Sequence, residues 1–194
     1  MASRGRGSKT KGHSFERKVA KLLSSWYFGV SDRLKRTPLS GGLSLSLKGD
    51  LFEDLSVKIS DDPVINAKKL FPFNVECKCS EVPLDMSALF HPKSVFWAWW
   101  KQTITEFDKT PDRGKIPLLV FSRNNIKPMV CMPSEALKNC NLIPKTFIEI
   151  NGLSILPLDS FLSIPRDQFV LIDSKGNKEA MRFNFITYPK KQNG

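Results

Sequence analysis

The 194-residue sequence contains few of the side chains that build common metal and disulfide sites. It has 2 histidines, His13 and His91, which are too far apart in the chain to predict a zinc site. Its 4 cysteines show no framework spacing, which indicates a reducing compartment rather than a disulfide-stapled fold. No Walker loop, dinucleotide fingerprint or serine-nucleophile motif occurs, so the sequence does not predict a nucleotide-binding enzyme or a serine hydrolase.

The sequence also lacks long apolar runs. None approaches the ~20 residues that a membrane helix needs, and no apolar segment of signal-peptide type follows the basic N-terminus. With 41% hydrophobic and 25% charged residues, the composition is that of an ordinary globular protein, and the length predicts one domain with room for an extension. We therefore expect a cytoplasmic protein.

Acidic residues are fewer than basic ones. The chain has 30 Lys and Arg residues against 19 Asp and Glu residues, which gives a formal charge of +11. Residues 1–36 hold 10 basic side chains, whereas Glu16 and Asp32 are their only acidic ones. Such a segment attracts a polyanion, and counterion release would drive its binding to nucleic acid. One alternative is a solvated basic tail that binds no partner. Another is binding to a membrane surface, which would need an amphipathic or lipidated anchor that the sequence does not show.

Hydropathy patterns divide the chain into three parts. Residues 1–14 carry glycine, serine and basic side chains and predict a flexible arm. Residues 15–122 predict the core, and residues 123–190 predict a β-rich extension packed on it. Within the core we expect a helix from Phe15 to about Gly29, strands at 33–39, 43–47, 51–59, 73–79 and 116–121, and a helix at 93–108; within the extension we expect strands at 129–132, 147–150, 168–172 and 182–188. This order predicts an α/β fold with a mixed sheet flanked by helices.

The tripeptide Glu76-Cys77-Lys78 lies in the fourth of these strands. Because side chains alternate along a strand, Glu76 and Lys78 point to one face while Val75, Cys77 and Cys79 point to the other, apolar face. A carboxylate and an ammonium on a hydrophobic strand cost free energy unless they are paired or bind a ligand. Taken alone, the pair is also compatible with an ordinary surface ion pair.

Two further carboxylates strengthen the functional interpretation. Asp50 follows a glycine between two strand-like stretches, and Glu16 lies at the edge of the apolar face of the first helix. Three carboxylates and a lysine that converge on a sheet edge would form a hard, oxygen-rich site suited to Mg²⁺ or Mn²⁺.

The motifs that carry this site resemble those of a known superfamily. Phe15-Glu16-Arg17-Lys18-Val19-Ala20-Lys21-Leu22-Leu23, Arg36 with Ser40-Gly41-Gly42, Gly49-Asp50-Leu51 and Val75-Glu76-Cys77-Lys78 occur in the order found in the PD-(D/E)xK nucleases. Within that superfamily, the chain is most similar to the Holliday junction resolvases of archaea and bacteriophages. The resemblance covers roughly residues 12–122 and implies a restriction-endonuclease-like core of helix, three strands, helix and strand.

The resemblance implies roles for the matching positions. Asp50, Glu76 and the backbone carbonyl of Cys77 would hold Mg²⁺, for which Mn²⁺ substitutes, with support from Glu16. Lys78 would orient or activate the attacking water, and Ser40 would approach the scissile phosphate. The residues expected to contact DNA are Arg4, Arg6, Lys9, Lys11, Arg17, Arg33, Arg36, Gly41, Gly42, Lys101 and Gln102.

Two departures from the superfamily pattern leave the first carboxylate open. The proline that precedes the aspartate in the superfamily is replaced here by Gly49. The long interval between Asp50 and Glu76 also leaves Asp54 as a rival metal ligand. Gln102 carries a second alternative, a solvent-facing glutamine, beside its proposed place at the metal site.

The resulting prediction is a homodimeric, Mg²⁺-dependent, structure-selective DNA endonuclease that cuts four-way junctions, in a host cytoplasm if it is a phage protein. Two active sites in a C2 dimer would cut two strands symmetrically. The alternatives are a restriction-like, homing or flap nuclease of the same fold, and a basic DNA-binding protein without catalysis.

Overall fold

The computed structural model describes residues 4–38, 49–61, 71–80, 86–108, 115–123, 127–138, 140 and 144–169. In chain order the elements are helix α1 (Arg4–Phe28), strands β1 (Leu34–Arg36), β2 (Leu51–Glu53) and β3 (Phe73–Ser80), a 3-10 helix (Met86–Leu89), helix α2 (Val95–Asp108), strands β4 (Ile116–Arg123) and β5 (Met129–Pro133), helix α3 (Ser134–Lys138), strands β6 (Ile148–Ile150) and β7 (Leu153–Pro157), helix α4 (Leu158–Leu162) and a 3-10 helix (Arg166–Phe169).

The strands form two sheets. The larger has the order β3-β4-β5-β7-β6, in which only the β3–β4 pair is parallel. The smaller is the antiparallel pair β1–β2, and the amide of Asp50, just before β2, donates a 2.8 Å hydrogen bond to the carbonyl of Val75 on β3. The mixed α/β architecture confirms the predicted fold class. It also places the start of β2 beside the middle of β3.

Apolar side chains cover both faces of the larger sheet. On one face, Val75 and Cys77 of β3 pack with Val19, Leu23 and Tyr27 of α1, which recur at the spacing of one helical face. The opposite face packs against α2 through a second cluster that contains Phe96, Trp97, Trp100, Leu119 and Phe121. Strand β3 lies between these two layers and forms one edge of the sheet. Its polar side chains are therefore at the boundary of the two apolar clusters.

The structure differs from the sequence predictions at several elements, among them strand β7 (Leu153–Pro157), which the sequence did not predict. Helix α1 begins at Arg4, so most of the segment predicted as an arm is helical; a helix that is already anchored by packing extends at low cost. Strand β2 ends at Glu53 because the Asp54 carboxylate accepts hydrogen bonds from the amide and hydroxyl of Ser56 and turns the chain. A 3-10 helix occupies Arg166–Phe169 where a strand from Gln168 was expected.

Strands β1, β3, β4, β5 and β6 and helix α2 agree with the predicted segments within a few residues. The predicted strands at 43–47 and 182–188 lie outside the described residues. In the parts of the chain that the structure describes, none of the helices combines the length and apolar character needed to cross a membrane.

Candidate active site

Three polar side chains meet where β3 passes the start of β2. Asp50 and Glu76 are 7% and 4% exposed, so both carboxyl groups are buried. The backbone amide of Cys77 donates a 2.7 Å hydrogen bond to Oδ2 of Asp50. On the α2 side of β3, Lys78 Nζ donates to Oε1 of Glu76 at 2.5 Å, as the strand alternation predicted. The site therefore combines two buried carboxyl groups with one ammonium.

The backbone before Asp50 explains why a glycine stands there. Gly49 has a φ of 100°, which proline cannot adopt because its ring fixes φ near −65°. A Cβ at this position would lie 3.2 Å from the side-chain oxygen of Asn74 and 3.2 Å from the carbonyl of Val75. The departure from the superfamily proline thus reflects a different local turn, in which Asp50 still reaches the edge of β3.

A residue that the sequence did not suggest fixes this turn from the other side. The amide of Thr37, just after β1, donates a 2.9 Å hydrogen bond to the carbonyl of Asp50, and its hydroxyl donates a 3.0 Å hydrogen bond to the carbonyl of Gly49. Thr37 is 1% exposed. A threonine at the end of a short strand has no distinctive pattern, so its role becomes visible only once β1 and β2 are paired.

The electrostatics of the carboxyl pair are those of like charges brought together out of water. Burial raises the pKa of Asp50, and the neighbouring charge of Glu76 raises it further, to about 7, while the Cys77 amide opposes the shift. Burial also raises the pKa of Glu76, although the Lys78 ammonium acts in the opposite direction. A cation placed between the two groups would relieve this repulsion.

The donor set of the site fits a hard divalent cation. Among the described residues, Asp50 and Glu76 each have one carboxylate oxygen without a hydrogen bond. The hydrogen bonds to Asp50 use Oδ2, and those to Glu76 use Oε1. The carbonyl of Cys77 points to the same strand edge as its amide, because the N–H and C=O of one strand residue share a side. All these donors are oxygens, which Mg²⁺ and Mn²⁺ prefer. The described residues contain no cluster of three or more acidic, histidine or cysteine side chains arranged to hold a metal ion.

Helix α2 adds polar groups to the same site. Gln102 Nε2 donates a 2.9 Å hydrogen bond to Oε1 of Glu76, so this glutamine faces the carboxyl pair rather than bulk solvent alone. Glu106, one helical turn further on, adds negative charge that raises the pKa of Glu76. Glu106 was not predicted as a site residue, although its spacing of four residues from Gln102 places both on one helical face.

Glu16 approaches the site from α1. It is 8% exposed, and its charge contributes to the raised pKa of both Asp50 and Glu76. The guanidinium of Arg36 on β1 donates a hydrogen bond to Oε2 of Glu16. Arg36 therefore contacts the third carboxylate directly, whereas Asp54 lies apart from this group and pairs with Lys35 at 2.5 Å.

The predicted DNA contacts have different outcomes. Arg17, Lys11 and Lys101 are exposed, and Arg36 is half-buried against Glu16. The prediction for Arg33 is wrong, because its side chain is 0% exposed and donates to the carbonyls of Leu55 and Val57. Arg4, Arg6 and Lys9 lie in α1, but their side chains are outside the described part of the structure, as is the whole of Ser40, Gly41 and Gly42.

The sequence matches a known protein family. The family model described as "Phage putative PDDEXK endonuclease" matches residues 7–155, which is most of the chain. The chain belongs to this family. The match confirms the resemblance to the PD-(D/E)xK superfamily of nucleases, and it does not extend to the narrower similarity to Holliday junction resolvases. Neither a curated protein nor a solved structure matches the chain.

Proposed function

We propose that this protein is a Mg²⁺-dependent DNA endonuclease with Asp50, Glu76 and Lys78 at its catalytic centre. The observation that carries the proposal is the convergence of two buried carboxyl groups and one ammonium at the edge of β3. Membership of a PDDEXK endonuclease family supports it. Like-charged groups are rarely buried side by side without a binding or catalytic role, because burial penalises both charges.

Asp50 and Glu76 are the proposed metal ligands, together with the carbonyl of Cys77. Asp50 is preferred to Asp54, because Asp50 is hydrogen-bonded to β3 and electrostatically coupled to Glu76, whereas Asp54 is saturated by Lys35 and Ser56. When bound there, the cation would polarise a phosphoryl oxygen and lower the pKa of a water molecule. Glu16 is proposed as a supporting carboxylate.

Lys78 would act on the reacting groups themselves. Its side chain is 22% exposed, so its ammonium could reach a phosphate that enters from solvent while remaining paired with Glu76. There it would orient the attacking water and balance the negative charge that grows on the phosphoryl oxygens in the transition state. Gln102 would hold Glu76 through its 2.9 Å hydrogen bond and is proposed as a positioning residue.

We further propose the four-way DNA junction as substrate and a homodimer as the active form. The order of the motifs supports the first, and the need for two symmetric cuts supports the second. Ser40, Gly41 and Gly42 would approach the DNA backbone, together with Lys11, Arg17, Arg36, Lys101 and the basic side chains at positions 4, 6 and 9. The basic N-terminal region supports nucleic acid as the partner.

The decisive experiment incubates the full-length protein and Mg²⁺ with a four-way junction, a flap, a linear duplex and a single strand. We expect paired symmetric nicks in the junction, no cutting in EDTA, and loss of cutting with retained binding in Asp50→Asn and Glu76→Gln. Cutting of the flap or duplex instead would replace the junction by another DNA substrate and leave the nuclease centre intact. Tight binding without any cutting would favour the non-catalytic alternative.

A further inference from the structure

An open cleft of about 360 Å³ lies between α1 and β1, outside the carboxyl cluster. Its polar lining consists of Arg17 and Lys21 of α1, Ser31 and Asp32 of the following turn, and Lys35 and Arg36 of β1. We refer to it as the basic cleft, because four of these side chains are cationic and one is acidic.

The two cations from α1 are the ones available to a ligand. Arg17 and Lys21 are exposed and lie four residues apart, which places them side by side on one helical face. Among the residues that the structure describes, neither forms an ion pair. By contrast, Lys35 is paired with Asp54 and Arg36 with Glu16. An anion in the cleft would therefore meet two cations that form no ion pair within the described residues, two further cations and the single carboxylate of Asp32.

The basic cleft adjoins the candidate active site through β1. Arg36 lines the cleft, stands opposite Leu51 in the β1–β2 pair and contacts Glu16. The next residue, Thr37, is hydrogen-bonded to the backbone of Asp50. The cleft and the carboxyl pair are thus connected through two consecutive residues, Arg36 and Thr37.

We propose that the basic cleft binds a backbone phosphate of the DNA close to the phosphate that is cut. The inference rests on the proposed function in one respect, that DNA is the substrate. Arginine and lysine donors suit a phosphate because they supply charge-assisted hydrogen bonds, and arginine can bind two phosphate oxygens at once. A second phosphate held here would fix the position of the strand relative to Asp50 and Glu76.

The first test measures DNA affinity of the full-length protein against salt concentration in EDTA, where no cutting occurs. The variant Arg17→Gln/Lys21→Gln removes two charges from the cleft. The control Lys138→Gln/Lys145→Gln removes two exposed charges, from α3 and from the segment that precedes β6, neither of which lines the cleft. We expect the cleft variant to bind roughly tenfold more weakly and to lower the salt slope by about 1, as loss of a phosphate contact does. The control should match the wild type.

The second test neutralises single DNA phosphates by methylphosphonate substitution along a four-way junction. The wild type and the control should lose affinity when the one phosphate that occupies the cleft is neutralised. The affinity of the cleft variant should not change when that same phosphate is neutralised. A cleft variant that keeps the wild-type salt slope or the wild-type methylphosphonate profile would overturn the proposal. Because both tests measure binding without metal, a protein that binds as expected but cuts nothing refutes the proposed function alone.

Discussion

Two buried ionic groups lie at opposite ends of the β1–β2 pair, and their charges are balanced in different ways. Around Arg33, the guanidinium donates to two backbone carbonyls, lies over the ring of Phe28 and has Glu53 3.7 Å away as counter-ion. Around Asp50, by contrast, the largest effect of a neighbouring charge comes from another carboxyl group, that of Glu76. The charge of Arg33 is balanced inside the protein by Glu53, although Nε of Arg33 and Oε2 of Glu53 form no hydrogen bond within the described residues. The second group, by contrast, has excess negative charge.

This difference separates a structural charge from a binding site. The Arg33 group links the β1–β2 sheet to the segment around Phe71, because Glu53 also accepts a 2.6 Å hydrogen bond from the Phe71 amide. Removing a partner there would leave a buried ion uncompensated. Removing a carboxylate at the Asp50–Glu76 site would instead remove a repulsion. Opposite effects on stability and activity are therefore expected at the two sites.

The largest effect is expected from Arg33→Met. Loss of the guanidinium leaves Glu53 buried without its counter-ion, and such changes lower the free energy of unfolding by about 3–5 kcal/mol. Urea-induced unfolding followed by circular dichroism measures the loss, with Lys35→Met, an exposed residue of the adjoining strand β1, as control. A loss below about 1 kcal/mol would show that the Arg33 group is not the internal support described above.

Lys78→Met should have the reverse profile. We expect single-turnover DNA cleavage to fall by roughly 10²–10³, the usual cost of losing one group that stabilises transition-state charge. Unfolding should be perturbed far less than in Arg33→Met, because the Lys78 side chain is partly exposed. Cleavage at the wild-type rate, or a stability loss equal to that of Arg33→Met, would argue for a structural lysine.

Asp50→Asn should stabilise the metal-free protein above neutral pH. The pKa of Asp50 is raised in the folded state to about 7, so the protonated carboxyl favours folding at low pH, and this contribution is lost as the pH rises from about 4 through 7. Asparagine cannot ionise, and at pH 8 the variant should gain roughly 1–3 kcal/mol over the wild type. Thermal unfolding in EDTA at pH 5 and pH 8 measures this, and an equal difference at both values would contradict the prediction.

Gln102→Ala should give the smallest effect. Its amide contributes one hydrogen bond to Glu76, and loss of one such bond costs about 1 kcal/mol, or several-fold in cleavage rate. The neighbouring Lys101→Ala serves as control for the helix surface and should weaken DNA binding rather than the rate of the bound complex. An unchanged rate in Gln102→Ala would show that Gln102 does not position Glu76 and would favour the alternative of a solvent-facing glutamine.

The sequence predicted the structure correctly where the alternation of side chains along a strand coincided with a motif. Alternation along β3 correctly placed Glu76 and Lys78 on one face and Val75 and Cys77 in the core. It failed for Cys79, which is exposed because it lies near the end of the strand. Alternation describes local geometry, and it needs no knowledge of distant segments.

Features that depend on contacts between distant segments could not be read in this way. Arg33 belongs to a basic segment and was expected on the surface. Its side chain is instead buried and donates hydrogen bonds to the carbonyls of Leu55 and Val57. The support of Asp50 by Thr37, and the pairing of Glu16 with Arg36, likewise arise only when α1, β1 and β2 come together. Charge composition gives the number of cations but not which of them a carbonyl or carboxylate will bind.

The most direct test of the central claim is Mn²⁺ binding to the full-length protein, measured by electron paramagnetic resonance for the wild type, Asp50→Asn, Glu76→Gln and Asp54→Asn. We expect the wild type and Asp54→Asn to bind the ion, and Asp50→Asn and Glu76→Gln to bind it at least tenfold more weakly. Undiminished binding by Asp50→Asn together with loss of binding by Asp54→Asn would show that Asp54, and not Asp50, is the metal ligand.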